Sequence, residues 1–172
     1  MSTRSNVIIK VKPEDIGKTF KFVKKNLPVR LSIWGGENRR SMCKPVTIEK
    51  PYVGIYCHWD GYPSGVGKAL FNKFKTYEDV LNLVVGGDCS VIDENEVLHY
   101  ANREGEKWDF NKPVQNDKLD VCGGWTEYAY IFEDGAWKFG VVEFGRKANG
   151  ETNYDDEYIG KLRDLEEVLK EC

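Results

Sequence analysis

The stretch IYCHWDGYPSGVGKAL, residues 55–70, holds the densest group of side chains that could do chemistry in this sequence. A histidine and an aspartate could support hydrolysis, in which the carboxylate orients the imidazole and another residue serves as nucleophile. Cys57 is poorly placed to form a dyad with His58, because adjacent side chains on a strand point to opposite faces. His58 and Asp60 share a face if the strand continues, so we predict these two as catalytic residues.

The second half of this stretch, GYPSGVGK, has the residue types of a phosphate-binding loop. A P-loop needs four residues between its first glycine and the Gly-Lys pair, whereas five separate Gly61 from Gly67. Ala69 also stands where Ser or Thr would hold magnesium, which argues against an NTPase. Glycines that let a ligand approach, at the positive end of a helix dipole, could still hold one phosphate or carboxylate. The predicted ligand-binding residues are Arg4, Tyr62, Gly65, Gly67 and Lys68.

The same stretch also has a purely structural interpretation. Its Asp-Gly and Tyr-Pro pairs are typical of turns, His58 could satisfy a buried backbone group, and Gly65 and Gly67 could allow close contact between helix and sheet. A plain corner, however, does not need one histidine, one aspartate, two aromatic residues and three glycines within ten positions. We therefore favour a corner that also lines a ligand site.

Strands and short helices must position this stretch. The first half of the chain predicts strands, since its apolar runs are rich in β-branched and aromatic residues and are separated by Pro, Gly and Asn. These runs are NVIIKVK, KTFKFVK, PVRLSIW, PVTIEK and YVGIYCHW, with a loop expected at GGENRRSM. After the corner, GVGKALFNKF and TYEDVLNLVVGG predict two helices, the second capped by Thr76 and ended by Gly86.

The C-terminal half predicts a β-hairpin and a final helix. The alternating runs of YAYIFEDGAWKFGVVEF flank Asp134 and Gly135, which can supply the positive φ angles of a tight turn. From Asp155, apolar residues recur at helical spacing behind the linker GRKANGETNYDD, whereas residues 102–124 predict a long excursion at the sheet edge. We expect an α+β fold with a mostly antiparallel sheet, two short helices after the His-Trp-Asp-Gly motif and a C-terminal helix packed on the sheet.

The length and composition favour one domain over residues 1–172. Within it, residues 10–50 form a basic, strand-rich segment, and residues 145–172 hold the linker and the C-terminal helix. No apolar run approaches the roughly 20 residues of a membrane span, and the N-terminal residues lack the features of a secretory signal. The sequence therefore predicts a cytoplasmic protein without membrane contact.

The cysteines and histidines predict no metal site and no cofactor. Five cysteines are scattered without a Cys-x-x-Cys pair, and the two histidines stand at spacings that match no metal motif. The odd number of cysteines also argues against a disulfide framework. We expect buried free thiols in a reducing cytosol.

The net charge of −3 conceals an asymmetry along the chain. Residues 1–50 hold 12 Lys/Arg against 4 Asp/Glu, whereas residues 51–172 hold 13 against 24. Such polarity can mark a phosphate- or nucleic-acid-binding face, or two parts that pack against each other. KTFKFVKK interleaves lysines with phenylalanines as single-strand binders do, but the same alternation is typical of a half-buried strand. Nucleic acid is therefore less favoured as a partner than a small anion or a host protein.

Four segments together resemble an uncharacterised family of small proteins encoded by bacteriophages and prophages. They are MSTRSNVIIK, IYCHWDGYPSGVGKAL, LVVGGDCSVID and EYAYIFEDGAWKF. That family opens with a Ser/Ala-Thr-Arg-Ser segment and carries a His-Trp-Asp-Gly-Tyr-Pro core before a Gly-Val-Gly helix start. The resemblance covers residues 48–144 and the first ten residues, and the basic segment between them looks like an insertion. The resemblance implies a phage genomic context and no particular chemistry. In that context, host takeover, counter-defence and nucleotide handling in the infected cell are reasonable hypotheses.

Three functions are consistent with these observations. The leading one is a phage-type cytosolic accessory protein that binds a small anionic ligand, such as a nucleotide, without turning it over. The first alternative is an interaction protein whose basic segment, with Arg39 and Arg40 in its loop, docks on a host protein or nucleic acid. The second alternative is a hydrolase centred on His58, with Asp60 positioning the ring and residues 65–68 binding the anionic part of the substrate.

Overall fold

The computed structural model of the protein describes residues 3–32, 41–103 and 105–172. Its strands are β1 (Ser5–Lys10), β2 (Thr19–Phe20), β3 (Arg30–Leu31), β4 (Val46–Thr47), β5 (Tyr52–Cys57), β6 (Cys89–Ile92), β7 (Glu96–His99), β8 (Val114–Asn116), β9 (Tyr128–Glu133), β10 (Ala136–Arg146), β11 (Thr152–Ile159) and β12 (Arg163–Asp164). Its α-helices are α1 (Lys68–Lys73), α2 (Tyr77–Val85), α3 (Trp108–Asn111) and α4 (Leu165–Lys170). A π-helical turn, Pro63–Gly67, leads directly into α1.

Ten of the described strands form one mixed sheet, while β2 and β4 pair separately. The order along the sheet is β11-β10-β9-β1-β5-β6-β7-β3, with β12 added on β10 and β8 on β5. The pairs β1–β9, β3–β7 and β5–β6 are parallel, and the other neighbouring pairs are antiparallel. Parallel pairing needs a crossover, and α1 and α2 supply it between β5 and β6. The predicted α+β class and the mostly antiparallel sheet are confirmed, although the three parallel pairs make the sheet a mixed one.

Apolar side chains cover both faces of the central strand β1. Val7 and Ile9 pack in the main core with residues of α1, α2 and α4, and we call this side of the sheet the helix face. Ile8 points to the opposite side, the second face, where it packs in a smaller cluster with Cys122 and Ile131. Successive strand side chains alternate between faces, so burial on both sides explains why β1 reads as a continuous apolar run.

The predicted helix caps and hairpin turn are confirmed. Thr76 Oγ1 accepts a hydrogen bond from the N–H of Asp79 at 3.1 Å, and α2 ends at Val85 with Gly86 as its C-cap residue. β9 and β10 pair antiparallel around a turn in which Asp134 and Gly135 have φ angles of 51° and 78°. Local turn and cap chemistry therefore determines these two elements.

The C-terminal helix is shorter than predicted, because residues 155–159 belong to β11. The 11-residue strand β10 offers a long outer edge, along which residues 157–159 pair, whereas residues 155 and 156 lie in a bulge of β11. The helix begins only where the Asp164 carboxylate accepts the N–H of Glu166 at 2.9 Å. Leu165 and Val168 are buried against the rest of the protein, which confirms a C-terminal helix packed on the sheet.

Several strands are shorter than predicted or were not predicted, and residues 102–124 are more regular than the predicted excursion. The runs KTFKFVK, PVRLSIW and PVTIEK contribute only two described strand residues each, in β2, β3 and β4. Strands β6 and β7 were not predicted, and residues 102–124 include α3 and β8. The loop expected at GGENRRSM, with Arg39 and Arg40, lies outside the described residues except for its last two positions. In the described ranges no helix has the length and apolar character needed to cross a membrane.

Candidate functional site

The register between β1 and β5 brings Arg4 and His58 to the same place on the second face. Asn6 lies opposite Tyr56 in this antiparallel pair. Continuing that register by two residues places Arg4 opposite His58. Because alternate residues share a face, these four side chains lie on one side of the sheet, next to its end.

The His58 imidazole is half-buried and held from two sides. The Tyr56 hydroxyl lies 2.6 Å from Nδ1, and the Trp59 ring meets the imidazole edge-on with a centroid distance of 4.7 Å. When the phenol O–H donates to Nδ1, the neutral imidazole carries its proton on Nε2. In that tautomer the N–H at Nε2 is a hydrogen-bond donor.

Two arginines from distant parts of the chain place positive charge beside this ring. Burial is the main reason why the pKa of His58 lies below its usual value, and Arg4 and Arg103 lower it further. The Arg103 guanidinium lies over the Tyr100 ring, 5.4 Å from its centroid. We call Arg4, Tyr56, His58, Tyr100 and Arg103 the Arg4–His58 cluster.

Asp88 closes a gap in the ladder beneath this cluster. β8 pairs with β5 at residues 52–54, and β6 pairs with it at Cys57, so the N–H of Tyr56 faces neither strand. The Asp88 carboxylate accepts that N–H at 2.9 Å. Burial raises the pKa of Asp88 to about 7 although the hydrogen bond opposes the rise. Asp88 therefore exchanges a proton near neutral pH.

Asp60 does not have the partner predicted for it. β5 ends at Cys57, and Asp60 has a φ angle of 55°, so the strand does not continue to bring its carboxylate beside the imidazole. Asp60 Oδ1 instead accepts a hydrogen bond from the Tyr62 hydroxyl at 3.2 Å. In the described structure it is Tyr56 that hydrogen-bonds to Nδ1 of His58.

Gly65 serves the packing of the corner. Its N–H donates to the Tyr62 carbonyl at 2.9 Å, and the N–H of Val66 donates to the Asp60 carbonyl at 2.8 Å. A Cβ on Gly65 would lie 2.2 Å from that same Asp60 oxygen. These two N–H groups are occupied within the chain, so they do not cradle an anion as predicted.

Gly67 likewise allows contact between protein groups. A Cβ there would lie 2.9 Å from the Tyr130 ring, which is buried in the main core. The Tyr130 hydroxyl donates to the Gly61 carbonyl at 2.6 Å and ties the corner to β9. Lys68 is exposed at the start of α1. The structural interpretation of the glycines therefore fits the geometry better than a phosphate cradle.

The cysteines offer no activated nucleophile at this corner. Cys57 and Cys89 are buried side by side on paired strands. Burial raises the pKa of the Cys57 thiol to about 12, whereas nucleophilic attack requires the thiolate. All five cysteines are free. In the ranges the structure describes, no group of three or more His, Cys, Asp or Glu side chains could hold a metal ion.

The sequence predicted Arg4 and His58 as site residues, and the structure brings these two together with residues that were not predicted. Asp88 directly precedes β6, and Tyr100 and Arg103 follow β7; neither strand was predicted. The only local sequence signal for any of these three residues concerns Asp88, which is a polar residue between a glycine pair and the apolar run that forms β6.

No protein-family model, curated protein or solved structure matches this chain. The resemblance to small phage proteins therefore stays a prediction, as does the cytoplasmic location.

Proposed function

We propose that this protein binds a small anionic ligand, such as a nucleotide or a sugar phosphate, at the Arg4–His58 cluster. The observation that carries the proposal is that Arg4 and Arg103, which are far apart in sequence, both act on one half-buried imidazole. Guanidinium groups donate hydrogen bonds and accept none, and they suit the oxygens of phosphates and carboxylates. In the tautomer in which Tyr56 donates to Nδ1, the N–H at Nε2 of His58 adds a donor at the same place.

Trp59 makes a nucleotide the favoured form of this ligand. Its side chain is exposed and lies edge-on to His58, so the indole offers a stacking surface next to the cationic groups. Aromatic rings stack with any base, and each such contact is worth about 1–3 kcal/mol.

Binding without turnover is favoured over hydrolysis. The proposed hydrolase requires Asp60 to orient the imidazole, but Asp60 hydrogen-bonds to Tyr62. A phenol at Nδ1 holds the ring in place but provides no negative charge to stabilise an imidazolium, which a general base forms when it takes a proton.

Thermal unfolding with added ligands tests this function. Inorganic phosphate, nucleotides and sugar phosphates are added in turn, and a ligand present at a hundred times its Kd should stabilise the protein by about 2.7 kcal/mol. Arg4→Gln should abolish the stabilisation, whereas Arg30→Gln, at an exposed arginine on β3, should keep it. The absence of stabilisation by every one of these anions would refute the proposal.

Recovery of the ligand separates binding from catalysis. After incubation with the protein, a bound nucleotide should be recovered chemically unchanged by chromatography. Conversion that depends on His58, shown by its loss in His58→Asn, would instead establish an enzyme.

A further inference from the structure

A large bulge interrupts the pairing of β10 and β11. Phe144 lies opposite Glu157, but the next residue, Gly145, lies opposite Asn153. One step on β10 therefore spans four residues of β11, which leaves residues 154–156 outside the ladder. Bulges commonly redirect side chains at sheet edges.

The bulge places Tyr154 in a cluster of exposed aromatic rings. Its ring is 5.4 Å from that of Phe144 and 6.3 Å from that of Trp125, measured between centroids. Tyr154 is 60% exposed and Trp125 is 65% exposed. Large aromatic side chains are usually buried, so two neighbouring exposed rings form an uncommon surface.

Trp125 is held in this position at a conformational cost. Its φ angle of 61° is rare for a bulky residue. The next residue, Thr126, is buried, and its hydroxyl accepts a hydrogen bond from Asn6 Nδ2 at 2.8 Å. This anchor fixes the backbone next to Trp125, so the exposed indole is positioned by the core of the second face.

Acidic residues follow Tyr154 directly on the bulge. Asp155 and Asp156 are exposed on the bulge, and Glu157 follows them. The Asp156 carboxylate lies against Gly145, where a Cβ would collide with it. Among the described residues none of these three acids forms an ion pair.

We propose that Trp125, Phe144, Tyr154, Asp155 and Asp156 form a docking site for a basic segment of a partner protein. A lysine or arginine side chain of that segment lies on the aromatic rings and pairs with the carboxylates. Cations bind the faces of aromatic rings, and the acidic charge repels nucleic acid and anionic membranes, so charge complementarity selects a cationic occupant. β11 is also an outer strand of the sheet, whose free edge can pair with an extended peptide.

NMR titration with two matched peptides tests the site. One peptide alternates glycine with lysine and arginine, and in the other glutamate replaces every lysine and arginine. The indole N–H signal of Trp125, assigned by its loss in Trp125→Phe, should shift with the basic peptide only. Tyr154→Ala and the double variant Asp155→Asn with Asp156→Asn should each weaken binding about tenfold, as expected for losing one cation–π or ion-pair contact of this kind.

A matched control variant shows that the effect is local. Phe110 is another exposed aromatic residue, 79% exposed on α3, and Phe110→Ala should leave the peptide affinity unchanged. Circular dichroism should show that each variant is folded. Absence of any shift at millimolar basic peptide, equal shifts with both peptides, or unchanged binding by the Tyr154 and aspartate variants would overturn the proposal. A concentration-dependent dimer that Tyr154→Ala abolishes would also overturn it, by identifying a second copy of this chain as the occupant.

Discussion

Tyr56 and His58 hydrogen-bond to each other along one face at the end of β5, with 2.6 Å between the phenol oxygen and Nδ1. Residues two apart on a strand share a face, so this contact needs no special turn. A neutral phenol orients the imidazole without bringing a negative charge to it. The ring therefore stays close to the positive charge of Arg4 without a carboxylate of its own, which is the arrangement expected for holding an anion.

Replacing Arg4 with glutamine should raise the pKa of His58. Burial is the first cause of its lowered pKa, and the Arg4 cation adds to it by repelling the imidazolium. Removing the cation leaves burial and Arg103 in place, so part of the shift should reverse. Titration of the His58 Cε1–H signal by NMR measures this change, with Arg30→Gln as the control. An unchanged or lower pKa in Arg4→Gln would contradict the placement of Arg4 beside the ring.

Asp88 should make the protein less stable as the pH rises to neutrality. The folded protein keeps the Asp88 proton up to about pH 7, whereas the unfolded chain loses it near pH 4. Between these values the folded state binds more protons, so the free energy of unfolding falls with rising pH, by at most about 1.4 kcal/mol per pH unit. Asp88→Asn can still accept the Tyr56 N–H but does not titrate. Its stability relative to wild type should therefore increase from pH 4 to pH 7.

The comparison with Asp88→Asn is essential, because His99 has the opposite effect over much of this range. Burial lowers the pKa of His99 to about 4, whereas the unfolded chain binds this proton near pH 6.5. Stability from His99 is complete above pH 6.5 and is lost as the pH falls to 4, so it offsets Asp88 in the wild type. Urea unfolding of both proteins at several pH values isolates the Asp88 contribution. A difference that does not vary with pH would show that Asp88 has an ordinary pKa.

The elements that sequence predicts best are those with local causes. The Thr76 cap, the end of α2 at Gly86 and the turn at Asp134 each depend on residues within four positions of one another. A cap or a tight turn is stabilised by its own side chains and backbone angles, so its signal is contained in a short window.

The misjudged elements depend on distant strands. Residues 155–159 have apolar spacing that fits a helix, yet β10 provides an edge and residues 157–159 pair with it. Arg4 and Arg103 approach His58 only because β1 and β7 lie in the same sheet as β5, an order that no local pattern encodes. The sequence could therefore predict His58 as a candidate site residue, but its neighbours in space could be identified only from the topology.

Asn6 should be needed for the stability of the loop that carries Trp125. Its Oδ1 accepts the N–H of Cys122 at 2.7 Å, and its Nδ2 donates to Thr126 at 2.8 Å. Asn6→Ala leaves these buried groups without partners, at an expected cost of about 2 kcal/mol. Urea unfolding and amide exchange of residues 120–126 measure the loss, and Asn26→Ala, at an exposed asparagine, is the control. Equal stability of both variants would contradict this role of Asn6.

Gly86→Ala should destabilise the protein by about 1–3 kcal/mol, as expected for an overpacked core. The Gly86 backbone has a φ angle of −73°, which alanine adopts freely, so the effect isolates the steric contact. A Cβ there would lie 2.5 Å from Nε2 of His99. That ring cannot easily move, because Nε2 is 2.9 Å from the Leu83 carbonyl and the ring packs edge-on against Phe22. The end of α2 must therefore shift away from β7.

Gly124→Ala is the matched control for this substitution. Nothing lies within 4 Å of a Cβ at Gly124, so alanine there should change the free energy of unfolding by less than about 0.5 kcal/mol. Urea unfolding of both variants at one pH gives the comparison. A Gly86→Ala protein as stable as Gly124→Ala would mean that the end of α2 does not pack on His99. The burial that lowers the pKa of His99 would then be in doubt as well.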